Sequence, residues 1–505
     1  MARVQSIKRK ADTLHLQIAR IRSFYHLAYK AVCYVFPTFS HLRPRPFGND
    51  LLSTTMASTK PLLVIGSTPV YGHIMPLRSI AKFLIARGYE VTFVSATHFR
   101  PALEEIGCDY VPLEGYGDFY EGDFERLFPE RFELPQGPVQ LAYDLEHVFM
   151  KVIPSQHAAM QKAIRKVSEA NPGRPIVQIT EGVFQGGVPI TKGAPGIKPT
   201  ASIGIGVIPM TLSSIDLPPF GPGLPPDSSP EGRQRNVAMQ KQTWETFFPN
   251  VVKCWKEMML EIGAIPDDRT PLDATYFAPD RFIQMCVPSA EYPRSDASDS
   301  IRFGGGLPKG SRDPMKNPPS WWSEVVENKE KKDIVFVCQG TVALRYNELI
   351  IPTIEALKDR PNTLLIVALG KKGASLPADI AIPANTRVID FIPFDDLLPY
   401  CAAFVTNGGY GGFQHAISNG TPIITAGAGE DKPEVSARAE WSGMGFNLKT
   451  PTPTHEAILN AVDEVTSNPK YRTRAKEMEA EMATFDPIDI IVNNIEELIA
   501  QKIVA

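Results

Sequence analysis

Residues 404–433 read FVTNGGYGGFQHAISNGTPIITAGAGEDKP, and the fold follows from how this stretch must be laid out. The apolar run 402–405 stops at Thr406-Asn407, and Gly408, Gly409, Gly411 and Gly412 then crowd into five positions. A short helix-like segment, 413–419, ends at Gly420, and a second apolar run, 421–425, leads to the charged triplet Glu430-Asp431-Lys432. That order is strand, glycine turn, helix, strand. Glycines let the backbone approach a bulky ligand, and the first turn of a helix presents free N–H groups at the positive end of its dipole. A diphosphate fits such a place. A tight strand-to-helix turn with no ligand uses the same residues, and the stretch alone does not separate the two readings.

The pattern resembles the nucleotide-diphosphate segment of the UDP-sugar-dependent glycosyltransferases, H-G/C-G-x-G-T/S-x-x-E followed by G-x-P and D-Q. Gly409, Gly411, Pro422 and Asp431 keep it. Asn407 stands for the usual His, Gly412 for Thr or Ser, His415 for Glu and Lys432 for Gln. These departures resemble a bacterial and fungal branch reading NGGYGG and EDK, which acts on small molecules. The resemblance implies that Asn407, Gly408, Gly409, Gly411, Gly412 and His415 meet the nucleotide, and that Glu430, Asp431 and Lys432 meet the sugar. A charged, solvated turn is the other reading of that triplet.

The 505 residues carry a net charge of −4, with 43% hydrophobic and 21% charged residues. That balance exerts no general pull toward nucleic acid or an anionic membrane. Six cysteines are scattered singly with no C-x-x-C, too sparse for a disulfide framework or a zinc site, so a reducing, cytoplasmic location is expected. Residues 1–58 differ from the rest, with nine Lys or Arg and a single acid before residue 50. Three readings stay open for this extension: an Arg-rich targeting peptide, a segment lying on a membrane surface, or a start upstream of the natural one at Met56. No apolar run is long enough to span a bilayer.

The fold proper is expected to open with a buried strand at 61–66, followed by the loop STPVYGHIMP and a helix over about 75–87, with Pro76 in its first turn and Gly88 as its stop. A second strand at 91–95 completes a βαβ unit, which makes the sheet parallel and puts ligands beyond its carboxyl ends. His73 falls on that first loop, within G-H-I-x-P, where the resembling family keeps its catalytic histidine. The glycine spacing there is not G-x-G-x-x-G, which argues against a nicotinamide enzyme. A strand over 175–179 ends at Thr180-Glu181, and the family commonly has an Asp here bonded to the histidine. Glu181 is the candidate for that role, with a solvated acid as the alternative. The segment 217–232 holds six prolines and is read as a loop covering the acceptor side, and helix resumes over 236–262.

Residues 301–308 resemble the last strand of the family's first domain, and the proline- and lysine-bearing stretch after it suits a linker. A β-rich strand at 333–338 runs into Gln339-Gly340-Thr341, a second loop able to meet phosphate. Phe391, Ile392 and Phe394 lie in DFIPF, which resembles the W-x-P-Q segment that binds uracil; Phe391 offers a π face, and Phe394 in place of Gln shifts base recognition to the backbone.

The resemblance covers roughly residues 61–502 and implies an α/β protein of the GT-B type, two facing Rossmann-like domains with a cleft between them. The expected divisions are an extension at 1–58, an acceptor-binding domain at 59–310, a linker at 311–332, a nucleotide-sugar domain at 333–484, and a helix at 485–505 that crosses back to the first domain. The implied reaction is a metal-independent, inverting transfer of a hexose, glucose by default, from a UDP-sugar to a hydroxyl of a lipophilic or phenolic acceptor. No D-x-D metal motif occurs. Two other readings stay open: an epimerase or hydrolase on the same scaffold, which would consume UDP-sugar without an acceptor, and an inactive protein that only binds it.

Overall fold

The apolar runs become short parallel strands whose alternate side chains enter opposite layers. Leu63 and Ile65 pack into one layer and Leu62 and Val64 into the other. The computed structural model describes residues 60–308, 315, 317–340 and 345–504. The extension at 1–58, part of the expected linker, and Thr341 lie outside the described residues.

Seven strands form the first sheet: β1 (Leu62–Gly66), β2 (Val91–Ser95), β3 (Asp109–Pro112), β4 (Ile176–Glu181), β5 (Ala201–Gly206), β6 (Arg281–Gln284) and β7 (Ile301–Phe303). Six form the second: β8 (Asp333–Cys338), β9 (Thr363–Ala368), β10 (Thr386–Ile389), β11 (Ala403–Thr406), β12 (Ile423–Thr425) and β13 (Gly445–Asn447). The orders are β3-β2-β1-β4-β5-β6-β7 and β10-β9-β8-β11-β12-β13. Every pairing is parallel. The strand order therefore reverses between β1 and β4 in one sheet and between β8 and β11 in the other. Crevices for ligands open at the carboxyl ends of such reversals.

The helices that matter for the site are α1 (Tyr71–Ala86), α2 (Ile153–Ala170), α3 (Ile350–Leu357), α4 (Tyr410–Ser418), α5 (Lys432–Ser442), α6 (His455–Ser467), α7 (Pro469–Met482) and α8 (Pro487–Val504). One face of the first sheet is covered by α1 through Ile74, Leu77, Ile80 and Leu84, and α2 covers the other through Met160, Ala163 and Ile164. The terminal helix α8 joins the α1 layer through Ile488, Ile491, Ile495 and Leu498. On the second sheet, α3 and α6 bury one face, while α4, α5 and α7 bury the other. Cys286, Val287 and Ala290, just beyond β6, enter that last core, so the two sheets share packed apolar contact. Among the described residues no helix is long and apolar enough to cross a membrane.

Three local details depart from expectation. Helix α1 starts at Tyr71, one turn early, and Pro76 lies inside it. The cause is a carboxylate from elsewhere: Glu121 accepts the Tyr71 amide at 3.0 and 3.2 Å, satisfying an open N–H at the positive end of the helix. The run expected as one helix over 236–262 is two, Pro230–Thr246 and Pro249–Glu261, because Pro249 has no N–H with which to continue the first. The proline-rich loop ends sooner than expected, since Ser229 caps Pro230–Thr246 by accepting the Gly232 amide at 3.0 Å.

Candidate active site

His73 belongs to the first turn of α1 rather than to the preceding loop, and its amide donates to the Val70 carbonyl at 2.9 Å. Glu181 ends β4, directly across the strand reversal. Nδ1 of His73 stands 3.0 Å from Oε1 of Glu181, with the imidazole 15% exposed and the carboxylate fully buried. The approach is bent away from a straight N–H···O line. Glu181 Oε1 also accepts the Val183 amide at 3.0 Å, while Oε2 has no hydrogen-bond partner among the described residues. With Nδ1 turned to Glu181, Nε2 is the ring nitrogen left for a substrate. The Phe149 ring lies 6.4 Å from the imidazole, in a turn of π-helix over Leu145–Met150. Burial alone would lower the His73 pKa; the charge of the Glu181 carboxylate, with Asp431 and Glu121 behind it, raises it above the ordinary value.

The glycine stretch sits at the corresponding reversal of the second sheet. Gly408 takes φ of +81°, which glycine tolerates, and Gly409 is the extended residue that starts α4. Among the described residues no side chain caps that helix, so its leading amides keep their bonding capacity for a ligand. A Cβ on Gly411 would meet nothing within 4 Å, and at Gly409 or Gly340 the nearest atom is Asn407 Oδ1, at 3.8 and 3.9 Å. Among the described residues nothing crowds these three glycines. Gly412 is tighter, with Phe404 at 3.4 Å. Asn407 ties the two loops together by donating from Nδ2 to the Gln339 carbonyl at 2.6 Å.

The charged triplet leads into α5, with Asp431 at the helix start. Glu430 and Lys432 pair with each other, and Glu430 also accepts from Arg131 of the first half at 3.4 Å. Arg131 is held in place by two bonds to Asp144, at 2.7 and 3.0 Å. Lys432, with Arg131 behind it, holds the Glu430 carboxyl down at about 2. The Asp431 carboxylate turns back on its own backbone amide and makes no ion pair among the described residues, and burial raises its pKa. Its charge and that of His73 act on each other across the two halves.

Three expected nucleotide residues have structural occupations. Ile392 is 2% exposed and packs in the core of the second sheet. Phe394 packs edge-on against Phe336 and Phe404, with ring centroids 5.5 and 5.3 Å away, so its side chain is committed to the protein. His415 Nδ1 lies 2.7 Å from Asp395 Oδ1. Phe391 is half-buried, with the Lys372 ammonium 5.8 Å from its ring centre. Among the described residues no group of three or more His, Cys, Asp or Glu is gathered as a metal-binding set. Sequence reasoning missed Glu121, Phe149 and Arg131. Each acts on a partner far along the chain, and no spacing signals it.

Comparison with known proteins agrees with this architecture. Residues 363–498 match the family described as erythromycin biosynthesis protein CIII-like, C-terminal domain. The chain is 39% identical over 442 residues to UDP-glucosyltransferase A1 of Starmerella bombicola, covering 88% of this chain and 93% of that protein. It is 41% identical over 457 residues to UDP-glycosyltransferase 2 of Phaeomoniella chlamydospora, covering 88% and 97%. The crystal structure of the glycotransferase of kitacinnamycin superposes with a TM-score of 0.62 at 18% identity, covering 87% of this chain and 99% of that one, which places the fold in the GT-B class. A parallel two-sheet scaffold, loops at both strand reversals and relatives matched over nearly their whole length leave one assignment: the chain belongs to the UDP-sugar-dependent glycosyltransferases that act on small molecules.

Proposed function

We propose that this enzyme transfers glucose from UDP-glucose to a hydroxyl of a lipophilic or phenolic acceptor in a single inverting displacement. The acceptor oxygen attacks the anomeric carbon as the bond to the diphosphate oxygen breaks, and Nε2 of His73 takes the hydroxyl proton. The electron pair of the broken bond leaves with UDP. A neutral hydroxyl is a weak nucleophile, and imidazole is a base suited to neutral pH. Glu181 is read as the group that holds the ring and steadies the imidazolium, a positioning carboxylate behind the base. The bare amides at the start of α4 are read as the partners of the diphosphate, whose charge grows as it leaves. Asp431 is read as the acceptor of hydrogen bonds from the sugar hydroxyls.

The observation that carries this reading is the His73–Glu181 pair at the reversal of the first sheet, with the Arg131–Glu430 bond drawing the charged triplet of the second half toward the first. A displacement needs base and sugar to share one gap. Glucose is favoured because UDP-glucosyltransferase A1 carries that sugar in its name. The aromatic residue Phe149 beside His73 favours a flat or lipophilic acceptor.

The test is mass spectrometry of products from UDP-glucose with a mixed panel of phenolic and sterol acceptors, with and without a chelator, and the anomeric proton coupling of each glucoside read by NMR. Glucosides of inverted anomeric configuration are expected in both arms. UDP release at the same rate with and without acceptor, and no glucoside formed, would overturn the reading.

A further inference from the structure

The most tightly built polar cluster outside the two loops centres on Arg438 of α5, which is 1% exposed. Its Nε donates to Glu291 Oε1 at 2.6 Å, and its Nη1 donates to Glu434 Oε2 at 2.7 Å. The guanidinium lies 4.3 Å from the centre of the Tyr292 ring. Glu291, just beyond β6 in the first half, is fully buried; it also accepts the Met210 and Tyr292 amides at 2.9 and 3.0 Å and faces Arg294 at 3.5 Å. Two carboxylates and two guanidiniums thus balance inside the contact between the halves. Buried charges persist only when so paired and bonded.

Glu434 has a second oxygen, and it serves a different purpose. Its Oε1 accepts the amides of Gly221 and Gly223, at 2.7 and 3.0 Å, which form the tip of the proline-rich loop. Gly223 takes φ of +65°, and a Cβ there would stand 2.4 Å from the Pro433 carbonyl oxygen. The tip therefore lies against the first turn of α5, next to Asp431. The base of the loop is closed within the first half, where the Asp227 amide donates to the Asp216 carbonyl at 2.9 Å and Arg233 bonds Asp216 at 2.8 Å. Five prolines stiffen the segment between, so a single pin at the tip is enough to set its course.

We propose that Glu434 is a positioning residue that fastens this acceptor-side loop to the helix carrying Asp431, with Arg438 and Glu291 holding Glu434 in place. The loop then spans the cleft from a base in one half to a tip in the other, and the wall on the acceptor side is set by the donor-side helix. The inference rests on the transfer reading above and adds the element that positions the acceptor.

Two variants test it. Gly223→Ala forces the tip off Pro433 while leaving all four charges paired; Glu434→Ala removes the pin itself. Hydrogen exchange read by mass spectrometry over residues 219–225 is expected to speed up by about tenfold or more in both variants, the scale of losing a hydrogen bond to a charged acceptor. In Gly223→Ala the acceptor KM is expected to rise by a similar factor, with UDP affinity and the thermal midpoint close to those of the unmodified enzyme. Exchange at the tip that stays slow in both variants would overturn the pin. A released tip with unchanged acceptor KM and kcat would overturn the positioning role. If the unmodified enzyme makes no glucoside, the transfer reading falls first and the exchange arm still decides the pin.

Discussion

Nδ1 of His73 lies 3.0 Å from Oε1 of Glu181 because β1 and β4, far apart in the chain, are neighbours where the first sheet reverses its order. The pair sets a contest between two effects. Burial disfavours the imidazolium, and the carboxylates of Glu181, Asp431 and Glu121 favour it more strongly, so the folded pKa is raised. The base form of His73 is therefore depleted at a pH where a free imidazole would still be neutral.

A pH profile of kcat/KM should accordingly show an acid limb displaced upward from the ordinary histidine range. Glu181→Gln removes the largest upward influence and leaves burial in charge, so its acid limb should move to lower pH while the plateau falls through poorer ring orientation. An acid limb at the same pH in both proteins would detach Glu181 from His73.

His73→Ala should lower turnover by about 10²-fold or more, the scale of general base catalysis. UDP affinity, read by calorimetry, should hardly change, because the amides at the start of α4 are untouched. Turnover that survives the substitution would remove His73 from the mechanism.

Gly411 supplies a sharper test of the nucleotide site than any charged residue. A Cβ at this position meets nothing within 4 Å among the described residues, so Gly411→Ala should fold normally. If the diphosphate sits on the leading amides of α4, the same methyl group stands on the turn that it must approach. UDP affinity should fall by about tenfold or more, the loss of at least one charge-assisted hydrogen bond, with an unchanged thermal midpoint. Equal affinity in the two proteins would move the phosphate elsewhere.

How much was legible in advance follows from the range of each signal. The strands around Val64, Val335 and Val405 were readable because apolar runs and their glycine stops are local, and His73, Glu181 and the glycine stretch were found at their carboxyl ends. The start of α1 was not, because its cap, Glu121, comes from a loop fifty positions on. Nothing local in the DFIPF segment told that Ile392 and Phe394 turn their side chains inward. Arg131 and the Arg438–Glu291 bond were invisible for the same reason: each reaches a carboxylate on another element, and no spacing encodes such a meeting, whereas Glu434 stands four residues before Arg438 on one helix.

Arg438 carries the last prediction, on stability. In the folded protein Glu291 is buried, which alone would raise its pKa; Arg438 and Arg294, with the Met210 and Tyr292 amides, outweigh this and depress it. A depressed carboxyl stabilises the fold fully above its unfolded value, near about 4.3, and that contribution is lost as pH falls through the folded value. Arg438→Met leaves Glu291 and Glu434 buried with one partner fewer and should cost about 3–5 kcal/mol at neutral pH, the loss typical of breaking a buried pair. Without the guanidinium, burial pushes the Glu291 carboxyl upward, so protonation then relieves the variant while it weakens the unmodified protein. Urea denaturation of both between pH 7 and pH 4 should therefore show the gap in unfolding free energy shrinking as pH falls, and a gap of constant size would mean that packing, not charge, is what Arg438 contributes.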